Sequence, residues 1–262
     1  MLCSTVTTIY KVNFDLGYKR TTEDAEMEAE SNDTDSLMID LSNVCCVVPV
    51  FNEGEVIGPV VAELCQFFPY VVCVDDGSSD GSGLIAHMHG AYLVQHRVNI
   101  GQGGALSSGF KFALTIPGVK IVVCFDGDGQ HQVRDAIALV GRIKKDNLDV
   151  VLGSRFAGVN SPTLPKLKRT ALRVIILIRR IFTSSKFTDV HNGLRAFTSE
   201  ALVKINITQF GMAHASEITK QIESNKLRVA EEPVTVIYTS YSMKKGQSLL
   251  NGINIISEML WR

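Results

Sequence analysis

An apolar run at residues 121–131, IVVCFDGDGQH, ends in two carboxylates, Asp126 and Asp128, separated by one glycine. At i and i+2 of an extended backbone these side chains point the same way, so their oxygens can converge on one ion, with the Gln130 amide as a third donor. Hard oxygen donors suit Mg2+ or Mn2+, which take few carboxylates and complete their shell with water and phosphate oxygens. Gly127 and Gly129 let a bulky diphosphate come close to the backbone. The implied ligand is a nucleoside-diphosphate compound. Taken alone, the stretch reads equally as a turn, because Asp and Gly both tolerate the backbone angles that turns demand.

Two further apolar runs end in the same manner. VVPVFNE closes on Asn52 and Glu53, and VVCVDDGSSDG closes on Asp75, Asp76 and Asp80. In open α/β sheets the ligand sits beyond the carboxyl ends of the strands. Acids gathered along such an edge repel one another unless they bind a cation, a base edge or a hydroxyl. The three tips together weigh against a turn and nothing more.

NIGQGGALSSGFKFAL, at 99–114, opens a helix with glycines but fits neither phosphate-loop fingerprint. Leu106 stands where the dinucleotide motif needs its last glycine, and Phe110 where a P-loop needs lysine. Gly101 and Gly103 remain as positions whose N–H groups line a diphosphate or simply turn the chain into a helix. His87 and His89 have ligand-like spacing, yet they end a helical stretch where a cation complements the dipole. His131, His191 and His214 fall among polar loop residues that could meet substrate. No Ser-His-Asp or Cys-His set can be assembled from the linear order.

The elements that must position these residues are legible from Val44 onward. Short apolar runs alternate with helical stretches, and strands that read as continuous apolar runs are covered on both faces. The fold class is α/β, a doubly wound, mostly parallel sheet. Residues 43–156 form its ligand-binding half. After Phe156 the rhythm changes to a basic segment, a polar loop, two helices and a strand near 227–238, an appended substrate region at 157–262. Residues 1–42 read as an acidic, ill-ordered extension in which IYKVNF, at 9–14, can add a short strand.

The chain has 262 residues, 45% of them hydrophobic and 20% charged, enough for a sizeable core. A formal net charge of -1 supplies no basic field, so nucleic acid is not expected as a partner. The six cysteines include no CxxC spacing and read as reduced thiols in a cytosolic protein. No secretory signal pattern opens the chain, and no segment reaches the roughly 18 uninterrupted apolar residues of a spanning helix. Residues 164–187 set Lys166, Lys168, Arg169, Arg173, Arg179 and Arg180 around VIILI. Such a helix lies on an anionic membrane surface or packs on its own domain with a solvated basic face. KKGQSLLNGINIISEMLWR, near the C-terminus, has the pattern of a docking helix.

VVPVFNE, VDDGSSDG, NIGQGGAL, FDGDGQH, VLGSRF, DVHNGLRAF, GMAHASEI and YSMKKGQSLLN, taken in this order, resemble the family 2 glycosyltransferases. These are inverting enzymes of the GT-A fold, and the likeness is to their dolichyl/polyprenyl-phosphate mannosyltransferase branch, from about Val44 to Leu260. The resemblance implies that Pro49, Phe51, Asn52, Glu53 and Asp76 cradle the nucleoside, with Asp76 on the base edge and Asp75 beside it. It implies that Asp126, Asp128 and Gln130 hold the metal and diphosphate and that Arg155 meets phosphate. Gly127, Gln102 and the residue after His131 depart from the family's commoner choices. The Q-x-x-R-W signature of processive synthases is missing, which favours a single addition.

The expected reaction is therefore metal-dependent, inverting transfer of one hexose from a UDP- or GDP-linked sugar. The expected acceptor is a polyprenyl or dolichyl phosphate at the cytosolic membrane face, where the protein would be peripheral. Rivals are transfer to a sugar hydroxyl, which needs a carboxylate base such as Glu217 or Asp189, a sugar nucleotidyltransferase, and a silent nucleotide-sugar binding protein.

Overall fold

The computed structural model describes residues 8–10, 39–157, 187–237 and 241. Eight strands form one sheet: β1 (Thr8–Tyr10), β2 (Val44–Val50), β3 (Tyr70–Asp75), β4 (Tyr92–Gln95), β5 (Ile121–Cys124), β6 (Val150–Ser154), β7 (Arg195–Thr198) and β8 (Val229–Pro233). Their spatial order is β1-β4-β3-β2-β5-β7-β6-β8. β4, β3, β2 and β5 run parallel, as do β6 and β8, while β7 is antiparallel to both its neighbours and β1 is antiparallel to β4. The basic segment at 164–187, apart from Phe187, and the C-terminal run after Tyr241 lie outside the described residues. So does most of the acidic extension, of which Thr8–Tyr10 forms the short strand.

Strand alternation explains why the runs are apolar throughout. Val44, Cys46, Val48 and Val50 of β2 face one core, and Cys45 and Val47 face the other. Each face has its own helices. α1 (Ile57–Phe67), α2 (Ser82–Met88) and α4 (Val133–Asp146) cover the first, and α3 (Gln102–Ala113), α5 (Ser199–Leu202) and α6 (His214–Ser224) cover the second. α4 shows how locally the helices are specified. Asp135 stands in its first turn and Lys144 and Lys145 in its last, matching the macrodipole. Asn147, at φ 49°, closes its end with an N–H bond to the Ile143 carbonyl.

β7 is the element that sequence patterning did not anticipate. It has only four residues and opens on an arginine, so it lacks an apolar run. Its register pairs Arg195 with Cys124, which brings the turn before it to the carboxyl tip of β5.

Candidate active site

The registers align the strand tips. Val50 pairs with Asp75, Asp75 with Gln95, and Val47 with Cys124, so the polar ends of β2, β3, β4 and β5 share one edge. There the DDGSSDG loop is a socket for FNE. Asn52 takes φ 53°, a conformation its short polar side chain tolerates, and its Oδ1 accepts the Ser79 N–H at 2.9 Å. The N–H groups of Asn52, Glu53 and Gly54 donate to Ser78 Oγ, Ser82 Oγ and Asp80 Oδ2 at 2.8–2.9 Å. The Tyr241 hydroxyl donates to Glu53 Oε2 at 2.8 Å. Phe51 leaves the core here with 43% of its surface exposed, and Pro49 pairs with Val74 just beneath.

Asp75 and Asp76 are both buried. Asp75 Oδ1 accepts the Ser78 N–H at 2.9 Å, and Oδ2 accepts from Gln95 Nε2 at 3.3 Å. Asp76 receives His96 Nδ1 at 2.7 Å and the Ile100 N–H at 3.0 Å on Oδ1, and the Gly101 N–H at 2.8 Å on Oδ2. His96 Nε2 continues to Ser108 Oγ at 2.9 Å. This Asp-His-Ser line was invisible in the linear order. It ties the β3 tip to the middle of α3 and organises the 96–101 loop. His87 and His89, by contrast, turn Nδ1 to the carbonyls of Ala91 and Ile85 around the end of α2.

The glycines at the start of α3 serve close packing. The Gly103 N–H donates to the Phe210 carbonyl at 2.8 Å, and a Cβ on Gly101 or Gly103 would stand 2.3 Å from the carbonyl oxygen of Phe210 or Gln209. This N–H is therefore satisfied by the chain itself.

Asp126 and Asp128 occupy the tip of β5. Asp126 Oδ1 accepts from Gln102 Nε2 at 3.0 Å, and Oδ2 meets His131 Nε2 at 3.1 Å. Burial works against its charge. The His131 hydrogen bond and the nearby His131, Arg195 and His214 outweigh burial and hold this carboxyl below the usual carboxylate range. Asp128 goes the other way: burial first, and the charge of Asp126 second, push it up to about 6. The Gln130 N–H and Nε2 donate to its two oxygens at 3.0 and 2.9 Å. Two acids with opposed shifts at one tip form an anionic centre that a cation would relieve.

Asp189 and Glu217, in the second half of the chain, are both already engaged. Asp189 forms a bidentate pair with Arg155, from Nε and a terminal nitrogen at 2.6 Å each. Burial opposes the Asp189 charge, but Arg155 prevails and holds the carboxyl low. Glu217, in the first turn of α6, accepts the Thr208 N–H at 3.0 Å, the Gln209 N–H at 2.9 Å and the Thr208 hydroxyl. Its carboxylate clamps the loop that packs on Gly101 and Gly103. Burial first, and Arg195 second, lower the His214 pKa, and its Nδ1 donates to the Gly211 carbonyl at 2.8 Å.

The family model described as glycosyl transferase family 2 matches residues 45–205, the span that carries the tips of β2, β3, β4 and β5. The chain belongs to the family 2 glycosyltransferases. Among relatives of this family, a UDP-N-acetylglucosamine–dolichyl-phosphate N-acetylglucosaminyltransferase of Methanococcus voltae is 29% identical, over 82% of this chain and 93% of that one. A polyprenol monophosphomannose synthase of Mycolicibacterium smegmatis is 27% identical, over 81% and 83%. The crystal structure of glucosyl-3-phosphoglycerate synthase from Mycobacterium tuberculosis with Mn2+ and UDP-glucose superposes with a TM-score of 0.59 at 18% identity, over 78% of this chain and 73% of that one. The fold is thus GT-A-like, with a mostly parallel sheet.

The residues of this family 2 chain fit a divalent cation. Among the described residues, no group of three or more His, Cys, Asp or Glu side chains has the arrangement of a self-contained metal site. Mg2+ does not need one, because it binds through one or two carboxylates and takes its remaining ligands from water and phosphate. Each Asp126 and Asp128 oxygen that accepts one hydrogen bond keeps a further lone pair. The sequence singled out Gln102 only as a departure from the family's commoner choices, and it missed His96, Ser108, Gly193 and Arg195 as parts of this edge. Only DVHNGLRAF, as a block, pointed at the last two.

Proposed function

We propose that this family 2 glycosyltransferase moves a single hexose, with inversion, from a nucleoside-diphosphate sugar to a polyprenyl or dolichyl phosphate. The observation that carries the acceptor is the state of Asp189 and Glu217. One is locked to Arg155 and the other to the backbone of Thr208 and Gln209, so neither carboxylate is set to take a proton from a sugar hydroxyl. A phosphate monoester has a second pKa of about 6 and is already largely a dianion at neutral pH. It needs no base. The relatives named for dolichyl and polyprenol phosphates support the same reading.

Phe51 and the FNE–DDGSSDG socket receive the nucleoside, and Asp126, Asp128 and Gln130 hold Mg2+ or Mn2+ at the diphosphate. A bound cation neutralises the charge developing on the departing diphosphate. The acceptor phosphate oxygen forms its bond to the anomeric carbon as the bond from that carbon to the diphosphate breaks on the opposite side, which inverts the centre. In this reading Arg155, clamped by Asp189, presents a fixed positive charge at the end of β6, and Asp76 shapes the nucleoside site by holding the 96–101 loop. The protein works at the cytosolic membrane face as a peripheral enzyme. No helix among the described residues is long and apolar enough to cross a membrane.

The test is purified protein incubated with Mn2+, UDP- or GDP-hexoses, and either polyprenyl phosphate or a free sugar. The expected product is the prenyl-phosphate hexose. Glycosylation of a hydroxyl instead, with the acidic limb of the pH–rate profile lost in Glu217→Gln or Asp189→Asn, would overturn the acceptor reading.

A further inference from the structure

Gly193, in the turn before β7, lies against the Asp126 carboxylate. A Cβ on Gly193 would stand 2.0 Å from Oδ2 and 2.4 Å from both Cγ and Oδ1. Real Cβ atoms do not approach so closely, so the carboxylate fills the volume that any side chain at 193 would need. Backbone freedom is not the reason for the glycine, because Gly193 is not among the glycines with positive φ. What the position demands is space.

The turn is itself fixed from behind. Arg195, 3% exposed, donates from Nε to the Asn192 carbonyl at 3.0 Å and from a terminal nitrogen to the Val190 carbonyl at 2.8 Å. Asn192 Oδ1 accepts the Leu194 N–H at 2.9 Å. With Gln102 on Oδ1 and Gly193 packed against it, two chain segments besides its own loop, which supplies His131 to Oδ2, surround one carboxylate. Its orientation is decided by the assembled fold rather than by the FDGDGQH loop alone.

We propose that the 190–195 turn is the template for the Asp126 carboxylate. Gly193 is a positioning residue that fixes the direction in which Asp126 offers its remaining lone pairs to the divalent cation. The inference rests on the metal site of the proposed function.

The experiment compares full-length wild type, Gly193→Ala, Asp126→Ala and the double variant. Melting is measured in chelator, and Mn2+ is titrated in the presence of UDP or GDP, whichever the wild type takes. Gly193→Ala should lower Mn2+ affinity by about 10–100-fold, the loss typical of disturbing what orients a metal ligand. It should also melt below wild type, yet leave the melting of Asp126→Ala unchanged, because the colliding carboxylate is then gone. Wild-type Mn2+ affinity in Gly193→Ala, or the same loss of melting temperature in both backgrounds, would overturn the template. If wild type takes no Mn2+ with either nucleotide, the metal reading fails, and the melting comparison still decides the steric one.

Discussion

Asp128 is a liability of the metal-free protein. Its carboxyl sits at about 6, against about 4 for an unperturbed aspartate, so the folded chain binds this proton more tightly than the unfolded chain. Its contribution to stability is therefore fully present below about pH 4 and lost as the pH rises through about 6. In chelator at pH 7.5, Asp128→Asn should melt above wild type, with the difference closing near pH 4, while transfer is abolished. Mn2+ with nucleotide should reverse the order, since it stabilises only the wild type. Protons compete with the cation, so Mn2+ affinity should fall roughly tenfold per pH unit below about pH 6, readable by calorimetry. Asp189 makes the opposite case. Asp189→Asn removes the carboxylate charge paired with the Arg155 guanidinium, which is only 10% exposed. Breaking a buried pair from one side costs about 3–5 kcal/mol, which denaturant unfolding would read. Activity should fall through mispositioning, with no change in the shape of the pH–rate profile between about pH 7 and 9.

Between residue and fold stands the contact of α6 with α3, and Glu217 holds it. Its two oxygens accept from two backbone N–H groups and a hydroxyl of the 208–209 segment, whose neighbour Phe210 in turn accepts the Gly103 N–H at the first turn of α3. Glutamine has one carbonyl oxygen and an amide nitrogen that cannot accept, so Glu217→Gln removes at least one of these bonds. The expected loss is about 1–2 kcal/mol. Native-state hydrogen exchange should quicken at the Thr208 and Gln209 amides, while Asp126 keeps its partners and Mn2+ affinity holds. A collapse of Mn2+ affinity with unchanged exchange would instead make Glu217 part of the metal site.

Over the whole molecule, one sheet gathers residues from both halves of the chain at a single edge, and β7 and β8 from the second half complete it. An acceptor with a prenyl chain requires this edge to reach a membrane. The basic segment at 164–187 lies outside the described residues, and its sequence makes the prediction. Liposomes containing anionic lipid should sediment the protein, and charge reversal at Arg179 and Arg180 should release it, at about 1 kcal/mol for each basic group near the surface. Sedimentation unaffected by reversal would assign that segment to packing on its own domain.

The apolar runs of β2, β3 and β5, the acids at their ends and the order of the motif blocks determined the fold class and the carboxylate pair by themselves. Each is a local property, set by strand period and by polar residues placed where a strand stops. What Asp189, Glu217, Gly101 and Gly103 touch was decided only in three dimensions, because their partners Arg155, Thr208, Phe210 and Gln209 are reached through tertiary folding. The same holds for Gly193, separated in sequence from Asp126 by the whole of α4 and β6. Only an antiparallel strand too short and too polar to announce itself, inserted between β5 and β6, sets that glycine against the carboxylate. Periodicity reports which face of an element is buried. Which segment lies across from that face depends on the closure of the sheet, and that is a property of the assembled chain.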